Sequence, residues 1–219
     1  EAGPSLADWA NLLGNVREPD FQVCVNFAEG QQVNLMLSMS HIPSRIGTSG
    51  FACTEQVQAG DGFAAQRLST YLSPLGCSLD ADAFRLALPS QELEEARSSQ
   101  PPGDGPMLIL APSSEDQDWP PERWLALPKS ISTRLATLRS STLDPGLPMR
   151  RRAAAVACAD VILSSCAMTQ RLAVYCGIPL VALGATPTDF PPRGDIRCLG
   201  VRSDLASLTE QEVLDALGF

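Results

Sequence analysis

Apolar positions along the chain fall into short blocks whose period switches between that of a helix and that of a buried strand. Residues 7–16 (ADWANLLGNV) are spaced as a helix, Arg17-Glu18-Pro19-Asp20 breaks the pattern, and 21–27 (FQVCVNF) predicts a buried strand. Helical spacing returns at 31–40 (QQVNLMLSMS) and stops before Ile42-Pro43. A short strand is expected at 45–47, and a helix at 63–74 closed by Pro74 and Gly76. Ser90 is placed to cap a helix over SQELEEAR.

Gln100 to Pro106 (QPPGDGP) is the expected domain boundary, since Met107–Ala111 then reads as a central parallel strand. A Pro/Ser/Asp loop at 112–119 precedes a helix with Pro120 or Pro121 in its first turn and Trp124 on its apolar face. A strand is predicted at 135–138, a helix at 148–158, a strand at 160–164, a helix at 167–176 ending at Gly177, and a strand within 178–183. The capping-box pattern in SLTEQEVL predicts a closing helix at 207–217. This alternation implies an α/β chain of two Rossmann-like parallel-sheet domains, 1–100 and 106–200, followed by the closing segment 201–219.

Composition narrows the function classes. The 219 residues are 44% hydrophobic, enough for one large core or two small ones, and the formal charge is −9. Lys129 is the sole lysine, and Arg150-Arg151-Arg152 reads as a solvated helix start, so no basic field favours nucleic acid. The longest mostly apolar stretch, 172–185, is broken by Gly177 and Pro179 and is too short for a membrane span. Seven cysteines without a C-x-x-C, and His41 as the single histidine, argue against zinc and for a reducing compartment. No metal and no cofactor is expected.

Three stretches of the second half resemble glycosyltransferase family 9, the heptosyltransferase-type enzymes that move a sugar from a nucleotide-diphosphate donor. Met107 to Pro112 followed by Trp119-Pro-Pro-Glu-Arg-Trp124 is similar to the family's strand, loop and W-P-x-E-x-[WF] helix. Residues 153–177 resemble its helix, strand and short-loop helix. Pro179 to Leu183 with Pro187-Thr188-Asp189 is similar to its strand and G-P-T-D loop. The first half, through His41 to Gly47, resembles the later part of the family's amino-terminal domain, with a flavour of cyanobacterial members. The resemblance implies the two-domain GT-B architecture, here reduced in both halves, with the donor held between the domains and the closing helix 207–217 returning toward the first.

The resemblance also implies losses. The family's opening glycine-rich loop, whose Asp is the catalytic base, has no counterpart before Glu1. The family's donor-binding lysine falls at Gln117 or Asp118. Its D-[ST]-[GA]-x-x-H pattern places Cys166 at the Asp and Arg171 at the His. A vestigial donor site is expected at Ser164, Ser165, Arg171, Thr188 and Asp189, resting on helix-start N–H groups and the Arg171 charge. No catalytic residue is assigned: His41 reads as a surface or capping histidine, Glu94-Glu95 and Asp116/Asp118 as solvated acids. Cys166 reads as an ordinary thiol, having no basic residue nearer in sequence than Arg171.

Two readings stay open. One is a non-catalytic family-9-like subunit of a larger protein assembly, docked against the exposed side of strand 21–27 or through the 31–40 helix, with Leu37 and Met39 at the interface. The other is part of an active transferase using a nucleotide-diphosphate sugar. The first predicts weak or no binding of nucleotide sugars and a reducing compartment, cytoplasm or plastid stroma.

Overall fold

The computed structural model describes residues 5–28, 30–58, 60, 62–80, 83–114 and 118–219. They form two compact units, Glu1–Ala81 and Asp82–Phe219. In the first, α1 (Leu6–Arg17) starts from a capping box in which Ser5 and Asp8 satisfy each other's backbone N–H groups. It is followed by β1 (Val23–Asn26), α2 (Gln31–Met39), β2 (Ser44–Gly47), β3 (Glu55–Gln56), α3 (Ala64–Leu68) and a 3-10 turn over Ser69–Leu75. The three strands are parallel in the order β1-β2-β3. Leu37, Ile42, Ile46, Phe63 and Tyr71 are buried in this unit, and Phe27 packs its ring 4.8 Å from that of Tyr71.

The second unit contains α4 (Ser90–Ser98), β4 (Met107–Ala111), α5 (Pro121–Ser132), β5 (Arg139–Thr142), α6 (Met149–Ala157), β6 (Val161–Ser164), α7 (Ala167–Cys176), β7 (Leu180–Leu183), β8 (Ile196–Leu199) and α8 (Glu210–Leu217). All five strands are parallel, in the order β5-β4-β6-β7-β8. Alternation along β4 splits the core. Met107, Ile109 and Ala111 join Ala153 and Val156 of α6 and Ala173 of α7 on one face. Leu108 and Leu110 join Trp124 and Leu127 of α5 and Val213 of α8 on the other. A sheet covered by helices on both faces explains why the central strands read as unbroken apolar runs.

Several expectations are corrected. Units divide at 81/82 rather than in the 100–106 segment, which belongs to the second unit: Gln100 donates to the Cys158 carbonyl at 2.9 Å, and Arg139 reaches the Pro101 and Gly105 carbonyls. The closing segment likewise packs within the second unit. It opens with a 3-10 turn at Arg202–Ser207, and Thr209, paired with Glu212, is the residue that caps α8.

The run at 21–27 is a parallel strand only over Val23–Asn26, and it lies at a sheet edge. Val23 is therefore 41% exposed and Phe27 62%. The strand expected at 135–138 is a turn, with Leu135 N–H donating to Ile131 and Leu138 N–H to Leu135; pairing with β4 begins at Arg139. The helix at 63–74 is α-helical only to Leu68, because Pro74 has no N–H to give and the chain tightens into 3-10 geometry. Ser90 is the first helical residue, not the cap, which is Pro89.

Candidate functional site at the strand ends of the second unit

From β4 the chain steps outward to β5, then returns across β4 to β6 and continues through β7 to β8. The direction of winding thus reverses between β4 and β6. In open parallel sheets, ligands bind at the carboxyl ends of the strands flanking such a reversal, because the two connecting loops part there. A cavity of about 330 Å³ occupies this position, lined by Ala111 at the end of β4 and Ser113 after it, Pro145 and Arg152 before and within α6, and Cys166 and Thr169 at the start of α7.

Arg152 is the residue that the sequence reading misplaced. It is not solvated but 7% exposed, and it reaches the Pro145 carbonyl through Nη2 and the Met168 sulfur through Nη1, while its Nε has no partner. The signal was present in the spacing: Arg152 stands one helical turn before Val156, a fully buried residue of α6, and so shares its face.

Cys166 is the N-cap residue of α7 and lines the cavity beside Met168 and Thr169. Burial alone would raise its thiol pKa. The Thr169 N–H and hydroxyl, the Met168 N–H and the Arg152 charge outweigh that and hold the thiol below its ordinary range. Thr169 is 1% exposed, and its hydroxyl has no nitrogen or oxygen partner.

The expected vestigial donor residues divide into two groups. Ser164 and Ser165 end β6, fully buried, and both hydroxyls are engaged inward. Ser164 Oγ donates to the Ala111 carbonyl at 2.9 Å and accepts from Cys166 N–H at 3.0 Å, and Ser165 Oγ accepts from Ser113 N–H at 2.8 Å. Arg171, Thr188 and Asp189 are exposed beyond the ends of β6 and β7, where the charges of Arg171 and Arg202 both act on Asp189. Asp189 accepts from the Thr186 hydroxyl at 2.7 Å and from its N–H at 3.0 Å. These bonds, then the two arginines, lower its pKa. Arg202 also bonds the Ser165 carbonyl at 3.1 Å, linking the two groups.

Of the two candidates for the family lysine position, Gln117 lies outside the described residues, as does Asp116. Asp118 turns its carboxylate onto the backbone, accepting from Ser113 N–H and Trp119 N–H, both at 2.7 Å. It is a loop clasp rather than a solvated acid. Trp119 behind it is fully buried, donates Nε1–H to the Leu208 carbonyl at 2.8 Å and meets Trp124 edge-on at 5.3 Å. In the first unit, Leu37 is 3% exposed and belongs to the core, so of the two expected interface residues only Met39, 41% exposed, presents its side chain. His41 is exposed and lies 3.2 Å from Arg17 Nη2.

Among the described residues no helix is long and apolar enough to cross a membrane. No protein-family model matches the sequence, and a search of curated proteins returns no match. Solved structures do match. A glycosyltransferase family 9 protein from Veillonella parvula superposes with a TM-score of 0.69 at 15% identity, over 97% of this chain and 78% of its own. ADP-heptose LPS heptosyltransferase II of E. coli gives 0.68 at 16% identity, over 97% and 80%. The E. coli heptosyltransferase WaaC with ADP gives 0.64 at 12%, over 99% and 78%. The chain has the heptosyltransferase fold. Identities this low carry the fold alone.

Proposed function

We propose that this heptosyltransferase-fold chain is a non-catalytic subunit of a larger protein assembly, working in a reducing compartment such as the cytoplasm or plastid stroma. One observation carries the reading. Four polar side chains at or near the strand ends are spent inside the protein: Ser164 on the end of β4, Ser165 on the loop after it, Asp118 on its own loop, Asp189 on Thr186. No carboxylate is among the described residues lining the cavity, so none of them is placed there to take a proton from an acceptor hydroxyl. The exposed apolar side chains of the first unit, Phe21, Val23, Phe27, Leu35, Met39 and Phe51, agree with a covered surface.

A second reading, an active transferase using a nucleotide-diphosphate sugar, is favoured by one feature. Buried Arg152 and the amino terminus of α7 converge on the cavity and offer positive charge and free N–H groups to an anion. Light scattering on the isolated chain tests the subunit reading. Self-association or polydispersity is the expected result, whereas a monodisperse monomer with its own cooperative melt contradicts it.

A further inference from the structure

The cavity at the β4/β6 strand ends combines four features that belong to no part of the proposed subunit role. Cys166 stands half-buried on its wall, as the N-cap residue of a ten-residue helix. Arg152, 7% exposed, brings a positive charge with one unpartnered N–H. Thr169, 1% exposed, holds a hydroxyl without a nitrogen or oxygen partner beside the same sulfur. The opening, about 330 Å³, is room for a small molecule and not for a folded partner. The unpartnered Arg152 N–H, buried within the cavity, is an unfilled demand for a negatively charged or accepting group.

We propose that Cys166 is a site of reversible thiol–disulfide exchange with a small disulfide that carries carboxylates. The Cys166 thiolate attacks one sulfur of the disulfide. A new S–S bond forms, the old one breaks, and the other half leaves as a thiolate, so the incoming disulfide is the only oxidant required. Arg152 favours the anionic partner by its charge, and the α7 N–H groups with the Thr169 hydroxyl stabilise the attacking sulfur. A second small thiol reverses the step. The other six cysteines lack this setting. Burial pushes the Cys24, Cys158 and Cys198 thiols up, and the Cys176 thiol to about 11; Cys53 does not line this cavity, and Cys77 is the exposed comparator.

The test uses the full reduced chain and less than one equivalent of 5,5′-dithiobis(2-nitrobenzoate), an anionic disulfide, or of neutral 4,4′-dithiodipyridine. Remaining thiols are then blocked, and occupancy at each cysteine is read by peptide mass spectrometry. Cys166 is expected to take the anionic reagent at least about fivefold faster than Cys77 near neutral pH. Arg152→Gln is expected to remove most of that advantage for the anionic reagent and much less for the neutral one, with Arg152→Lys restoring it. Labelling of Cys166 no faster than Cys77, or an anionic rate indifferent to Arg152→Gln, overturns the proposal. If Arg152→Gln fails to fold, the pH profile of the native chain decides. A half-maximal Cys166 rate below the ordinary thiol range of about 8.5 supports the site, and one at or above it overturns it.

Discussion

Asp160 and Met107 bond each other twice: the Asp160 carboxylate accepts the Met107 N–H at 2.7 Å, and the Asp160 N–H donates to the Met107 carbonyl at 2.9 Å. The pair fixes the register in which β6 enters beside β4, and so sets the strand ends that frame the cavity. Met107 is fully buried, so Asp160→Ala leaves its N–H without a partner. A loss of about 1–3 kcal/mol is expected in denaturant titration followed by tryptophan fluorescence. Asp160→Asn keeps an acceptor and should lose less.

Gly105 precedes β4, and a Cβ there would stand 1.8 Å from the Thr137 carbonyl oxygen, a backbone atom that cannot step aside without moving β5. Gly105→Ala should cost about 2–3 kcal/mol. Gly14 lies exposed within α1 with nothing within 4 Å of its would-be Cβ. Gly14→Ala should therefore stabilise that helix by about 0.5–1 kcal/mol. Thermal melts of the two variants should shift in opposite directions.

Acid should weaken the chain through its capping carboxylates. The Thr209 hydroxyl and N–H hold Glu212 below its ordinary value, Ser5 does the same for Asp8, and the Arg193 guanidinium for Asp195. Each of these groups binds its proton less readily in the folded chain than in the unfolded one. Their contribution is therefore complete above the ordinary carboxylate range of about 4 and is lost as pH falls through the lowered folded values. Glu212→Gln should flatten the part of this acid limb that belongs to α8, measured as hydrogen exchange of its amides between pH 3 and 6.

Leu37 and Met39 should part company on substitution. Leu37→Ala opens a space in the first unit's core and is expected to cost about 2–5 kcal/mol. Met39 is 41% exposed, so Met39→Glu should leave the melt within about 0.5 kcal/mol of wild type while reducing association in sedimentation velocity. Unchanged association would place the contact elsewhere on the chain.

What was legible in the sequence is what sits in the middle of a sheet or on a strongly two-sided helix. The helix expected at 167–176 is α7 to the residue, because Gly177 takes a left-handed φ of 75° that ends it. The strand at Met107–Ala111 is equally clear, being buried along its whole length. Edges were not legible: β5 is Arg-Ser-Ser-Thr, β3 only two exposed residues, and β8 half-buried, so none carries the apolar run that marks a covered strand. The Ser164/Ser165 turn and the Asp189 loop were found by resemblance, but not that their polar atoms face inward. Arg152 and Cys166 are fourteen residues apart in the chain and on separate helices, and only the β4/β6 reversal brings them to one cavity.

Isothermal titration of the chain with ADP- and GDP-sugars shows whether the strand ends still hold a donor. No saturable heat is expected at millimolar ligand, because the Ser164 and Ser165 hydroxyls and the Asp189 carboxylate are already bonded within the protein. Saturable binding that is abolished by Arg171→Ala would contradict it and restore the transferase reading.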